Sequence, residues 1–460
     1  MSGMWTVAEA ARHLGASCPR PAEAVFARVS TDSRDLQPAD LFVALRGERF
    51  DGHEFVAQAA QAGAAAAVVD QAFDLNRVPA DFPLIIVEDT VAALGLLGTA
   101  WRSQFDLPLL AITGSSGKTS VKEMLAAVLR YHAGPDAVLA TAGNLNNHLG
   151  VPQMLLRLRP QHRYAVIEMG MNHAGEIRYL TKLAKPTAAL VNNAGAAHLE
   201  FLGSVEGVAR AKGEIFEGLT PAGIACFNAD DAFAGFWHEQ TRPQPQMTFG
   251  IERGQIRASQ IALLPLGSRF VLHSPQGDVA VELALPGRHN IANALAAATL
   301  ALSVNIDLPT IAAGLATCTG AKGRLQRKQA LSGALVIDDS YNANPDSMRA
   351  AVAVLAQFAA PRLFVMGDMG EIGADISARH AEIGEAARAA GIEHLLALGE
   401  QTVHAVARFG EGARHYSDLN TLLADLKSLS GAQSTVLVKG SRFMRMERVV
   451  DALTTGKLED

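Results

Sequence analysis

Leu109-Leu-Ala-Ile-Thr-Gly-Ser-Ser-Gly-Lys-Thr-Ser-Val121 is the stretch whose reading decides the fold. The apolar run Leu109 to Ile112 predicts a buried strand, and Gly114-Ser115-Ser116-Gly117 a turn. Lys118-Thr119-Ser120 then opens a helix with apolar positions at Val121, Leu125 and Val128. Strand, glycine turn and helix start make a phosphate cradle. Backbone N–H groups and the positive end of the helix dipole face the anion, and glycines admit a close backbone approach. Lys118 then reaches the outer phosphates, and the Thr119 hydroxyl holds Mg²⁺. The match to the general phosphate-loop pattern is incomplete, because its first glycine would fall at Ile112. A ligand-free helix-capping turn is the alternative, but a clean strand and a clean helix flank this one, which favours a nucleoside triphosphate.

The chain has 460 residues, more than one core can serve, and predicts about two to four domains. A hydrophobic content of 49% with 19% charged residues is that of an ordinary globular protein. The net charge of −6 gives no electrostatic reason to expect a nucleic acid partner, so phosphate must be bound by local sites. Cys18, Cys226 and Cys318 are widely spaced and form no metal-ligand pattern, as expected of core thiols in a reducing compartment. Met-Ser-Gly-Met-Trp5 lacks the basic-then-apolar order of a signal peptide. The alanine-rich segment 291–302 is too short for a membrane span and contains Asn293. A soluble, cytoplasmic protein with no membrane span is expected.

Upstream of the phosphate loop, residues 1–85 read as a small α/β unit. Thr6 caps a first helix, Val7 to Leu14, and strands are expected at Asp40–Gly47, Gly63–Val69 and Leu84–Val87. Ser33, Arg34, Asp51 and His53 fall at strand ends or turns, where ligand groups collect, although a solvated loop would look the same. Thr90 is expected to cap the helix that leads into the phosphate-loop strand.

Downstream, Thr141-Ala-Gly-Asn-Leu-Asn-Asn-His-Leu-Gly-Val-Pro152 places amides and backbone N–H groups, Asn144 and Asn146 among them, at a strand-to-helix junction. Tyr164-Ala-Val-Ile-Glu-Met-Gly170 is a second buried strand with an acid at its end. Glu168 therefore lies on the sheet edge that carries the phosphate loop, where an NTPase needs a carboxylate for magnesium; a strand-terminal Glu that merely faces water is the alternative. Ala188–Gly195 predicts a third strand, with His198 in its loop.

In Ser204–Leu219, Val205, Val208, Ala209, Ile215, Phe216 and Leu219 mark the buried face of a helix, and Lys212 falls on that face. Lysines rarely turn inward unless paired or chemically altered; the alternative is a stem that snorkels outward. A hairpin is expected around Pro275–Asp278, followed by an alanine-rich helix with His289, Asn290 and Asn293 at its start, where amides can bond a base. After a glycine-bearing boundary near 317–322, strand-helix alternation through Ala334–Asp339, Arg362–Met366, His394–Leu398 and Thr435–Lys439 predicts a doubly wound sheet.

Taken together, Thr-Asp-Ser-Arg34, Phe-Asp-Gly-His53, Thr-Gly-Ser-Ser-Gly-Lys-Thr119, Gly-Asn-Leu-Asn-Asn147 and Glu-Met-Gly170 resemble the Mur ligase family. The likeness continues through Ala-His-Leu-Glu200, Ala-Lys-Gly-Glu-Ile-Phe216, Gly-Arg-His-Asn290, Asp-Ser-Tyr-Asn-Ala-Asn-Pro345 and Lys-Gly-Ser-Arg442. It runs nearly end to end, and the set is far more specific than any one motif. It implies an α/β chain of three domains: a small N-terminal α/β domain (1–85) that binds a UDP-linked substrate, a central P-loop ATPase with a mainly parallel sheet (86–318), and a C-terminal Rossmann-like, doubly wound domain (319–460). It implies an ATP-dependent ligase of peptidoglycan synthesis, acting as a monomer. The asparagine-rich 143–147 loop and the Asp-Ser-Tyr-Asn-Ala-Asn-Pro run favour D-alanyl-D-alanine as the amine and UDP-N-acetylmuramoyl-tripeptide as the acid.

By the same resemblance, Gly114, Ser115, Ser116, Gly117, Lys118, Thr119 and Ser120 hold ATP. Thr119 and Glu168 hold one Mg²⁺, and His198 with a carbamylated Lys212 belongs to a second. His289 and Asn290 contact adenine, and Arg324 and Asn342 reach the nucleotide across the domain boundary. Ser33, Arg34, Asp51 and His53 recognise the uridine end of the substrate, Asn144 and Asn146 its middle, and Lys439 and Arg442 the dipeptide side. The rival readings are a family member that adds a single amino acid and a nucleotide-switch protein that forms no bond.

Overall fold

The structure is a computed structural model that describes residues 3–20, 22–47, 50–196, 199–373 and 375–457. Five sheets organise these described residues. The first larger one holds the parallel strands Arg28–Ser30, Asp40–Val43, Ala66–Asp70 and Leu84–Val87 in that order, so it continues past the boundary expected at residue 85. Thr6 caps the helix Val7–Leu14 in a reciprocal capping box with Glu9, as its position predicts. One residue of the expected capping is corrected. The helix Thr90–Arg102 is capped by Asp89, whose carboxylate accepts from the N–H groups of Val91 (2.7 Å) and Ala92 (3.1 Å); Thr90 is already inside the helix.

The central sheet has six strands, all parallel. Their order is Gln246–Phe249, Ile224–Asn228, Ala188–Val191, Leu109–Thr113, Tyr164–Glu168 and Val138–Ala140. The phosphate-loop strand sits inside it, buried along its whole length, as a strand with helices on both faces requires. Ile112 is in register with Glu168 and Thr113 with Val191, so three strands end side by side and open their loops to one edge. The helix Val205–Gly213 stops sooner than the apolar stripe suggests and continues as a 3-10 segment, Glu214–Gly218. Glu214 is buried there, accepting from the N–H groups of Gly175 (2.9 Å) and Arg178 (3.1 Å) at the start of the helix Glu176–Ala184.

Beside it lies an antiparallel sheet, Arg257–Leu264, Gly267–Ser274 and Gly277–Leu283. The last two form the expected hairpin. The first carries a bulge between Ser259 and Ala262, which breaks the alternation by which a strand announces itself. The C-terminal sheet runs Gln326–Gln329, Leu335–Asp339, Thr435–Lys439, Arg362–Gly367, His394–Leu398, Ala413–Tyr416. Its inner four are the expected parallel strands, and the two outermost are polar edges.

One apolar core runs without a break from the N-terminal lobe into the central one. Trp5, Leu41 and Val68 belong to the same cluster as Leu94, Trp101 and Ile167, and the Trp5 and Trp101 rings meet edge to face at 5.0 Å. The C-terminal lobe has two cores of its own, one on each face of its sheet. Among the described residues no helix is long and apolar enough to cross a membrane.

A close approach of two helices in the central lobe sets a stability test. A Cβ on Gly314, in the helix Leu308–Ala316, would lie 2.5 Å from Val128 Cα in the phosphate-loop helix. Gly314→Val is expected to destabilise the protein by about 1–3 kcal/mol through overpacking. A lowered urea midpoint is the readout; a midpoint equal to the parent's refutes the close approach.

Candidate active site

Gly117 is the turning point of the phosphate loop. It has φ +79°, caps the helix Lys118–Ala133, and has no room for a Cβ because the side chains of Asn192 and Asn293 converge on it. Asn192 Nδ2 donates to Ser116 O and to Asn293 Oδ1, both at 3.0 Å. Asn193 accepts from the Ser115 N–H through its carbonyl (3.0 Å) and from the Ser116 N–H through its side chain (2.9 Å). The loop is thus braced by the two residues that follow the neighbouring strand. Both were missed in the sequence, where Asn192-Asn193 reads as part of an ordinary strand end.

Glu168 is 2% exposed and held at three points. Its Oε2 accepts from the Thr119 hydroxyl (2.9 Å), its Oε1 from Asn146 Nδ2 (2.8 Å), and its backbone N–H donates to Thr141 Oγ1 (2.9 Å). Because Thr119 spends only its proton on Glu168, its oxygen keeps lone pairs for a cation. Among the described residues no group of three His, Cys, Asp or Glu side chains gathers to hold a metal. Two hard oxygens beside a phosphate cradle fit Mg²⁺, which takes its other ligands from phosphates and water.

Lys118 Nζ donates to Gly114 O at 2.7 Å. Burial lowers its pKa from the ordinary lysine value; Glu168 opposes the shift and Arg324 adds to it. Lys212 is 1% exposed, so it does not snorkel, and its amine makes no hydrogen bond or ion pair among the described residues. Burial, reinforced by the charge of Lys118, holds it well below the usual range. An uncharged amine is the form that reacts with CO₂. His198 lies outside the described residues.

The loop faces a cavity of about 250 Å³ whose far wall belongs to the C-terminal lobe. Arg324 reaches it with its guanidinium stacked 4.5 Å from the Tyr341 ring. Asn342 and Lys439 line it too, and Lys439 is 3% exposed, tied to Asp339 (2.6 Å) and to Asn342 O (2.9 Å). The expected dipeptide contact Lys439 therefore stands in the cavity of the phosphate loop. Arg442 is nearer the surface, paired with Glu447 at 2.8 Å and 6.0 Å from the Tyr341 ring. Asn290 lines the cavity but spends its Nδ2 on Pro286 O (2.8 Å) and accepts from Asn293 (3.3 Å), so its amide braces the loop at one remove. Asp346, also unforeseen, points its carboxylate at Gly195 beside Ser115.

In the N-terminal lobe the expected ligand residues divide. Arg34 is open and paired with Asp32 (2.7 Å), and Ser33 lies beside it. His53 is 4% exposed, with Nδ1 2.6 Å from Asp51 and Nε2 accepting from the Asp70 N–H at 3.0 Å. Both its nitrogens are spent inside the lobe, where it fixes Asp51. Asn144 is exposed.

With this geometry in place, the comparisons are specific. Residues 25–102 match the profile described as Mur ligase family, catalytic domain; 112–301 match the Mur ligase middle domain; 323–442 match the Mur ligase, glutamate ligase domain. UDP-N-acetylmuramoyl-tripeptide–D-alanyl-D-alanine ligase of Escherichia coli (strain K12) is 49% identical over 429 residues, 92% of this chain and 93% of that protein. The chain belongs to the Mur ligase family. A crystal structure of MurF from Acinetobacter baumannii superposes on this Mur ligase with a TM-score of 0.91, at 39% identity and 98% coverage of both chains. MurF ligase from Thermotoga maritima in complex with ADP superposes with a TM-score of 0.81, at 26% identity, covering 92% of this chain and 96% of that one.

His289 of this Mur ligase gives a pH test. Burial lowers its pKa from 6.5 to about 4; Asp339 opposes the shift and Lys439 adds to it. Its folded value lies below its unfolded one, so it contributes nothing above the unfolded value and costs stability as pH falls from there towards the folded value. In NMR its ring is expected to stay neutral down to about pH 5. A His289 resonance that titrates like a free imidazole overturns this placement.

Proposed function

We propose that this Mur ligase joins D-alanyl-D-alanine to UDP-N-acetylmuramoyl-tripeptide in peptidoglycan precursor synthesis, consuming ATP and releasing ADP and phosphate. The observation that carries the reading is the shared cavity: Lys118 from one lobe and Lys439 and Arg324 from another line it. The choice of substrates is supported by the end-to-end likeness to the Escherichia coli ligase.

A carboxylate does not condense with an amine at neutral pH. One of its oxygens bonds to the γ-phosphorus of ATP as the bond from that phosphorus to the β–γ bridging oxygen breaks, giving ADP and an acyl phosphate. The amine then bonds to the acyl carbon, the tetrahedral intermediate expels phosphate, and the nitrogen loses its proton. No enzyme nucleophile is needed, so the protein supplies orientation and positive charge. Ser115, Ser116, Gly117 and Ser120 hold the phosphate chain, and Lys118 and Arg324 neutralise it. Thr119 and Glu168 would hold Mg²⁺, which screens the β- and γ-phosphate charge when bound. Lys212 as a carbamate, formed when its neutral nitrogen bonds to CO₂ and loses a proton, would add a carboxylate for a second ion together with His198. We assign His289 and Asn342 to the nucleoside side, with Asn290 behind them. Ser33, Arg34 and Asp51, set by His53, take the uridine end, Asn144 and Asn146 the middle of the substrate, and Arg442 the dipeptide. The same reading takes the protein as a monomer of the cytoplasm.

The decisive assay supplies ATP, UDP-N-acetylmuramoyl-tripeptide and either D-alanyl-D-alanine or a single amino acid. Product is expected only with the dipeptide, and Lys118→Met is expected to lower kcat by about 10²-fold or more. Product only with the single amino acid overturns the acceptor; ATP turnover independent of any acid overturns the ligase. For Lys212, ¹³C NMR with labelled bicarbonate is expected to show a carbamate signal that Lys212→Arg removes. An identical spectrum in parent and variant refutes the modification.

A further inference from the structure

Three residues into the phosphate-loop helix beyond Thr119, Lys122 is 2% exposed and has no place in the chemistry above. Its Nζ donates to Thr141 O at 2.9 Å and lies 2.6 Å from Glu123 Oε1. Thr141 follows the strand Val138–Ala140, whose parallel pairing with Tyr164–Glu168 runs from Val138↔Tyr164 to Ala140↔Val166. The ladder continues one step further, with the Thr141 N–H donating to Val166 O at 3.0 Å. A regular parallel ladder would next send the Glu168 N–H to Thr141 O. Here that rung is exchanged. The Glu168 N–H donates to Thr141 Oγ1 at 2.9 Å, while the Thr141 carbonyl is taken by Lys122.

This exchange fixes Glu168 from behind. Thr119 and Lys122 stand on one face of one helix, the first bonded to the carboxylate and the second to the residue that holds its backbone. Lys122 also sets where the chain leaves the sheet, and the loop that begins there returns Asn146 to Glu168 Oε1 at 2.8 Å. We infer that Lys122 is a positioning residue for Glu168, and that it sets the affinity of the magnesium site through the Thr141 rung without touching metal or nucleotide. The inference rests on the proposed role of Glu168.

The test measures Mn²⁺ binding in the presence of ADP by electron paramagnetic resonance, on the full chain, beside steady-state kinetics. Lys122→Met and Thr141→Val are each expected to weaken Mn²⁺ about 10-fold, as loss of an outer support of a metal ligand does, with the KM for D-alanyl-D-alanine unchanged. Thr141→Ser, which keeps the hydroxyl, is expected to bind like the parent. Glu168→Gln separates the two layers: it must itself weaken Mn²⁺. If Glu168→Gln weakens binding while folded Lys122→Met and Thr141→Val match the parent, the inference alone is overturned. If Glu168→Gln leaves binding unchanged, the role of Glu168 falls and this inference with it. Should Lys122→Met not fold, the Thr141→Val and Thr141→Ser pair decides.

Discussion

A short chain of side-chain amides carries this site. Asn290 accepts from Asn293, Asn293 from Asn192, and Asn192 donates to the Ser116 carbonyl. Through three asparagines, the helix Arg288–Ser303 and the end of the strand Ala188–Val191 are fastened to the phosphate loop. A bare N–H cradle without such bracing would have to be ordered by its ligand at an entropic cost. Here the packing of buried amides sets the loop, and Gly117 leaves the space they need. Hydrogen bonds of this kind are each modest, but a buried amide left unpaired is expensive, so the network holds or fails as a unit.

Two lysines of this site behave alike for the same reason. Burial lowers the pKa of both Lys118 and Lys212, and the charge of Lys118 further disfavours that of Lys212. In the proposed mechanism, a triphosphate arriving in the cavity would restore the cation at Lys118 by supplying negative charge. Lys212 has no such neighbour among the described residues, so its nitrogen is kept as a base. One electrostatic circumstance would thus prepare both the phosphate contact and the reactive amine of the proposed mechanism.

The order of strands and helices around the cradle was legible because each carries its own period. The phosphate-loop strand, Glu168 and the inward Lys212 all follow from apolar spacing with one residue out of place. What was not legible depends on residues distant in the chain. Asn192 and Asn193 look like any strand end until Ser115 and Ser116 are seen to hang from them. His53 reads as a surface ligand because Asp51, two residues away, suggests a turn; only the Asp70 backbone reveals that its ring is fully employed. The strand Arg257–Leu264 was hidden by its bulge, and the edges Gln326–Gln329 and Ala413–Tyr416 by their polarity. The cap of Thr90–Arg102 moved by one residue, since Asp89 offers a carboxylate where Thr90 offers a hydroxyl.

The unbroken core beneath the first two lobes bears on how such a chain can be divided. Sequence profiles match it in three pieces, yet one apolar cluster spans the first two lobes, beside another that lies wholly within the N-terminal lobe. Cutting between the first sheet and the helix Thr90–Arg102 would bare Leu94 and Trp101 and strip Arg159 of its bond to Ala27 O (3.2 Å). Recombination among relatives, in nature or by design, would therefore keep that shared cluster whole only by exchanging the first two lobes together.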